Sequence, residues 1–359
     1  MIDVPALLLG LPPVFGLREA GAGGLSARTL ERAVRGGEVR RLARGVFVAD
    51  AVWRSGSQRD RHLLLVRASL CVQPRGVISH HSAAVVLGLP IPWRLPCWVA
   101  MTTGGSARTA TPGTLLRLEP AALPRAAVVV SAGMVVTSVD RTVIDCLREL
   151  PLADAVAIGD AALRSGSVSP SSLRRTRSAQ RGWPYIKKAE QALPILDGRR
   201  ENWFESWSFT QLWQLGIELP EPQVNVYDRR GRFLGRVDGL WQDGGVVAEA
   251  DGSGKYLGEF DPNGASGSAA ARIVVAEKER EDRIRDCGLE FVRWGVAEMA
   301  RDPRAVAARI DRARERGDFG RFRGRLELMP RTHPRLLAPK PPFRGRNRPR
   351  TVVSAQGAG

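Results

Sequence analysis

Two carboxylates with ten residues between them, and a third acid two places on, form the stretch best suited to chemistry: Asp238, Glu249 and Asp251 in "RVDGLWQDGGVVAEADGSGKY". Asp243-Gly244 lies between two apolar runs and predicts a hairpin with a two-residue turn. That turn pairs Trp241 with Val246, Leu240 with Val247 and Gly239 with Ala248. It sets Asp238 opposite Glu249, and Arg236 opposite Asp251. Strand alternation then puts the three acids on one face with Leu240 and Val247. Opposed like charges repel, and partial burial strips their hydration and raises the cost. A shared proton, a basic partner such as Arg236 or Lys255, or a divalent cation would relieve it. Carboxylates with open positions left for water and phosphate suit Mg²⁺. The "GSGK" run is not a phosphate-binding loop, because Glu249 and Tyr256 stand where that motif needs Gly and Ser or Thr.

The elements that must hold these acids begin near residue 201. "ENWFESWSFTQLWQLGI" reads as a helix, and "PQVNVYD", "FLGRVDGLW" and "GVVAEAD" as strands. A helix ("GSAAARIVVAEKEREDRIRDCG"), a strand ("LEFVRW") and a helix ("DPRAVAARIDRARERG") follow, giving an α/β domain over 201–320. This order, with its D-x10-E-x-D spacing, resembles the restriction-endonuclease-like PD-(D/E)xK superfamily over about residues 200–300, and within it domains related to very-short-patch repair endonucleases. The resemblance implies Mg²⁺-dependent hydrolysis of DNA phosphodiesters. Asp238 and Glu249 would be the metal ligands and Glu205, on the preceding helix, an additional acid. The superfamily's lysine is expected two residues after Glu249, where Asp251 stands. Lys255 and Lys278 are the candidates to replace it in space, and the repair-endonuclease branch lacks it too. Arg283 either faces the site or pairs with Glu279 or Asp286.

Residues 14–50 read as helix, turn, helix and a short two-stranded wing. "SARTLERAVRGG" has Ser26 as N-cap and Gly36-Gly37 as its stop. Arg28, Arg32 and Arg35 form a basic stripe on that helix, and Arg40, Arg41 and Arg44 populate the wing. This is the winged helix-turn-helix layout, whose second helix enters the DNA major groove. "GLSARTLERAVRGGEVRRLARGVFVAD", "GVISHHSAAVVLGLP" and "VTSVDRTVIDCLRELPLADAVAIGDAALR", in that order, resemble the AbiEi-type antitoxin and transcriptional regulator family over about residues 12–165. The resemblance implies operator DNA and a cognate toxin as partners, with a mixed α/β antitoxin-like segment after the winged helix. His80 and His81, at a helix start, read as packing or capping residues.

The expected organisation is an α/β multidomain chain. It comprises a winged helix-turn-helix (1–50), a mixed α/β segment (51–137), a helical connector (138–200), a restriction-endonuclease-like domain (201–320) and a disordered basic tail (321–359). The net charge of +17 points to a polyanionic partner, nucleic acid first, although +9 of it falls in residues 321–359. Only five of the 54 basic residues are lysine. Cys71, Cys97, Cys146 and Cys287 are scattered, against a structural zinc site or a disulfide framework. No apolar run is long enough to span a bilayer, and the opening residues make a poor signal peptide, so the expected location is cytoplasmic. Three readings follow: a DNA-binding, Mg²⁺-dependent endonuclease, a non-enzymatic AbiEi-type regulator with an inactive nuclease fold, or an adaptor that binds nucleic acid without sequence preference through its arginine tail.

Overall fold

A computed structural model describes residues 4–104, 115–252 and 267–330, with side chains described outside 267–274. The protein is mixed α/β with three sheets. Its contacts divide into two units, which meet in sequence at Trp203 and Phe204.

The first unit opens with α1 (Val4–Leu9), β1 (Phe15–Gly16), α2 (Leu17–Ala22), α3 (Ala27–Arg35), β2 (Val39–Ala43) and β3 (Val46–Ala49). The strands make an antiparallel sheet in the order β1-β3-β2. The "VFGL" stretch, expected to be helical, gives up Phe15 and Gly16 to that sheet, because Phe15 pairs with Phe47 and stacks on its ring. At the start of α3 the Thr29 N–H donates to Ser26 Oγ at 3.2 Å, satisfying a donor the helix cannot satisfy itself. Leu30 and Ala33 bury the inner face against Phe15, Leu25, Val39 and Phe47. That burial leaves Arg28, Arg32 and Arg35 on the exposed face.

α4 (Asp50–Ser55) and α5 (Gln58–Val72) lead into β4 (Val77–Ile78), α6 (His80–Val86), β5 (Val99–Thr103), β6 (Leu116–Pro120), β7 (Val128–Ser131) and β8 (Met134–Thr137). Their mixed sheet has the order β6-β5-β4-β8-β7. Next come α7 (Val139–Glu149), α8 (Leu152–Arg164), α9 (Pro170–Ala179) and α10 (Ile186–Ala192). These four helices share one apolar core with Ala84 of α6, through Val143, Leu147, Ile158, Leu173 and Ala189. The stretch read as a connector is therefore a packed helical layer of the first unit.

The second unit contains α11 (Trp203–Gln214), β9 (Glu221–Asp228), β10 (Phe233–Trp241), β11 (Val246–Asp251), α12 (Gly267–Asp286), β12 (Glu290–Gly295), α13 (Val296–Arg301), α14 (Pro303–Arg316) and β13 (Gly324–Leu328). Its sheet runs β12-β11-β10-β9-β13. β9, β10 and β11 are antiparallel neighbours, whereas β11 and β12 are parallel and need the α12 crossover between them. β10 and β11 pair in the register read from the turn: Gly239 with Ala248, Leu240 with Val247, Trp241 with Val246. A Cβ on Gly239 would lie 2.8 Å from Pro220, so this strand position accepts only glycine without a shift. The reading of a disordered tail from residue 321 is corrected by β13, which pairs with β9. Its cause is local: Leu326 packs on the core of this unit, Glu327 accepts the Tyr227 hydroxyl, and Arg325 lies over the Tyr227 ring. The residues from 331 onward lie outside the described residues.

Candidate functional site

Asp238 precedes Gly239 on β10 and Glu249 follows Ala248 on β11, so both acids lie one place farther from the turn than the Gly239–Ala248 pair. β11 lies between β10 and β12, so Glu249 is held in the interior of the sheet at 6% exposure. Burial, and then the neighbouring Asp238 charge, push its carboxyl up to about 7. Asp238 turns toward the backbone, and its Oδ2 accepts the Ala250 N–H at 2.8 Å.

The basic partner of Glu249 is a residue the sequence reading did not single out. Arg280 of α12 donates from Nη2 to Glu249 Oε1 at 3.1 Å and to Glu277 Oε1 at 2.7 Å. It crosses β10 at Gly235, where a Cβ would stand 2.9 Å from Arg280 Cδ. Arg236, expected to supply its guanidinium, supplies at least its carbonyl, which lies 3.4 Å from Arg280 Nη1. Asp251 has Arg293 Nε at 3.5 Å, and Arg293 Nη2 also reaches Glu277 at 3.0 Å and Glu281 at 3.5 Å. Lys278 and Arg283 are exposed on α12. Lys255 lies outside the described residues.

Glu205 of α11 is 1% exposed, and its Oε2 accepts the Gln223 amide at 2.9 Å. Gln223 has a backbone φ of +55°, a left-handed conformation uncommon for a residue with a Cβ. No group of three or more His, Cys, Asp or Glu side chains is arranged to hold a metal ion among the described residues. The pair Asp238 and Glu249 still fits Mg²⁺ as a donor set, since that ion uses one or two carboxylates and fills its remaining positions with water or phosphate.

The six arginines read as facing DNA are all exposed, but two of them have partners. Arg28, Arg32 and Arg35 on α3, and Arg44 beside the Gly45 turn, are exposed. Arg40 is held by Asp50, with N–O distances of 3.1 and 2.9 Å, and lies over the Trp53 ring. Arg41 lies over Phe47. His80 and His81 are buried, which agrees with a packing role. His81 Nε2 is 3.0 Å from the Trp98 carbonyl, and His62 Nε2 is 2.9 Å from Ser82 Oγ. Burial drops His62 to about 4 and His81 to about 3.

No protein-family model matches the chain. Two curated relatives from Mycobacterium tuberculosis strains, "Uncharacterized protein MT2308" and "Uncharacterized protein Rv2248", are each 30% identical over 190 residues. The similarity spans 52% of this chain and 65% of each relative's length. The crystal structure of the RV2827C protein from the same species is similar at a TM-score of 0.35 and 17% identity, over 53% of this chain and 73% of that one. No helix among the described residues is long and apolar enough to cross a membrane.

Proposed function

We propose that the chain is a DNA-binding protein whose first elements act as a winged helix-turn-helix and whose second unit is a restriction-endonuclease-like domain for Mg²⁺-dependent phosphodiester hydrolysis. The observation that carries the nuclease reading is the pairing of the half-buried Asp238 with the buried Glu249 on adjacent strands, with the Glu249 carboxyl pushed to about 7. Two carboxylates packed this way at a net cost are explained by a cation that binds both. The element order helix, three strands, helix, strand supports the fold assignment. DNA binding is supported by the element order of residues 4–49 and by the exposed arginines of α3 and of the β2–β3 turn.

Asp238 and Glu249 would hold the ion, and when bound it supplies Lewis acidity and a more acidic water. The other roles fall to the chain. The Ala250 N–H fixes Asp238, and Arg280 fixes and balances Glu249. The basic face of α3 would hold the phosphate backbone of the duplex.

One observation favours the second reading, a non-enzymatic AbiEi-type regulator with DNA and a toxin as partners. Arg280 and Arg293 already satisfy Glu249 and Asp251 in part, and Asp251 occupies the lysine position. A supercoiled-plasmid assay separates the two. The nuclease reading expects Mg²⁺- or Mn²⁺-dependent nicking that stops on chelation and in Glu249→Gln, while gel-shift binding persists. Binding without nicking in either metal identifies the regulator. Absence of both overturns the proposal.

A further inference from the structure

The first unit buries a cluster of opposite sign. Arg141 and Arg148 of α7 share the fully buried Asp145 one helical turn away, Arg141 Nε at 2.7 Å and Arg148 Nη1 at 2.9 Å. Arg148 completes its contacts with the Pro184 carbonyl at 2.8 Å and Gln180 at 3.3 Å. Glu149 is 3.9 Å from Arg148 and already engages His80 at 3.3 Å. Arg141 donates from Nη1 to the Ala122 carbonyl at 3.1 Å, but its buried Nη2 has no hydrogen-bond partner. Its guanidinium carbon lies 4.6 Å from the centre of the Trp183 ring, a face that attracts the charge without accepting a full hydrogen bond. A guanidinium at 3% exposure with an unused N–H pair, half-sharing one carboxylate, leaves positive charge uncompensated in the interior.

Arg141 lines a groove of about 290 Å³, near the lower limit for small-ligand sites. Its walls include Ala122, Pro124 and Ala179, and Trp183 and Arg175 also line it. Arg175 is exposed and forms no ion pair to another described residue. Ser138, the N-cap of the eleven-residue α7, adds the positive end of a helix. The acid on the rim, Asp140, is tied to hydroxyls: its Oδ1 accepts Ser138 Oγ at 2.7 Å and its Oδ2 accepts Thr176.

We propose that this groove binds a small organic anion, a carboxylate or phosphate monoester on a compact apolar body, whose oxygens take the free N–H pair of Arg141. Nη2 is covered in the present arrangement, so entry moves the half-buried Trp183 away from the guanidinium. The apolar walls select the body of the ligand, and the guanidinium selects its charged head.

The test uses the full chain with benzoate, phenyl phosphate and inorganic phosphate as probes, followed by calorimetry and tryptophan fluorescence. The expected result is saturable binding of benzoate or phenyl phosphate, the tighter of the two naming the head group. A fluorescence change accompanies it and is lost in Trp183→Phe. Ala179→Phe, which fills the groove and leaves the Arg141–Asp145–Arg148 cluster intact, abolishes binding. Arg141→Lys keeps the charge but loses the fork, and weakens binding roughly tenfold. The proposal is overturned if none of the three probes binds up to roughly 10 mM. It is equally overturned if Ala179→Phe binds as tightly as the wild type.

Discussion

The two units bury charge in opposite ways. Around Arg141 and Arg148 the first unit offers two guanidiniums to one fully buried carboxylate, with Glu149 3.9 Å from Arg148 and carbonyls and an amide as the remaining acceptors. Around Asp238 and Glu249 the second unit gathers acids: among the described residues these two, Asp251, Glu277 and Glu281 outnumber Arg236, Arg280, Arg285 and Arg293. In the first case α7 carries all three charges one turn apart, so a single helix sets the geometry. In the second, two paired strands bring the acids one place beyond their last bridged pair, Gly239–Ala248, and the relieving arginine comes from a separate helix across the Gly235 gap. The sign of each surplus, not the element that fixes it, sets which ion it would attract.

Removing an acid should therefore have opposite signs in the two units. Asp145→Ala leaves two buried guanidiniums without their shared carboxylate, and the first unit should lose about 3–5 kcal/mol in urea unfolding. A loss under about 1 kcal/mol would show that the cluster is solvated and would remove one side of the contrast.

The next largest effect is acid sensitivity of the first unit. His62 and His81 stay neutral in the fold, with values of about 4 and about 3 against an ordinary 6.5. The unfolded chain takes up these protons first, so their contribution is complete above pH 6.5 and declines as the pH falls toward 4. Glu149 adds a second phase: burial raises its carboxyl, but the His80 hydrogen bond and the nearby cations bring it down to about 2, so its contribution is lost below an ordinary 4.5. Unfolding free energies measured from pH 7.5 to 4 should fall, the raised His80 opposing the two lowered rings, and His62→Asn should flatten the curve. A flat wild-type profile would mean that both rings titrate in the fold as they do in the unfolded chain.

A smaller effect of opposite sign is expected from Glu249→Gln. Without divalent ion at pH 8, the neutral amide relieves the repulsion from Asp238 and still accepts from Arg280. The second unit should gain about 1 kcal/mol. Destabilisation would show that Arg280 already balances the pair. The smallest change is in DNA affinity: Arg32→Ala should weaken binding by about 1 kcal/mol and lower the salt slope by about one, whereas Arg40→Ala first breaks the Asp50 contact. A tail deletion for comparison should begin after Pro330, since a cut at 321 removes an edge strand. If that deletion abolishes binding and Arg32→Ala does not, the basic tail binds the DNA.

Much of this was legible in the sequence because the information is local. The Asp243-Gly244 turn and strand alternation determine which side chains oppose each other, so Asp238 and Glu249 stand where the pattern puts them. Ser26 and Gly36 bound α3 by capping chemistry that one residue controls. Arg280 was not legible, because its contact with Glu249 spans 31 positions and depends on the crossing of α12 over β10. The run "EKEREDRIRD" advertises ion pairs along one helix, yet nothing in it tells which arginine turns inward. Arg141, Asp145 and Arg148 did leave a signal, charges three and four apart within the apolar run "DRTVIDCLRE", but Trp183 and the groove come from elsewhere in the chain. β13 escaped notice because Leu326 and Leu328 alternate with charges inside an arginine-rich, proline-rich stretch.

The central claim is that Asp238 and Glu249 are held together for a cation. The most direct test is calorimetric titration of Mn²⁺ and Mg²⁺ into the full chain and into Asp238→Ala/Glu249→Ala. One saturable site is expected in the wild type and none in the double variant. A wild type that binds neither metal, beside a double variant that is equally or more stable, would contradict it and leave a DNA-binding regulator.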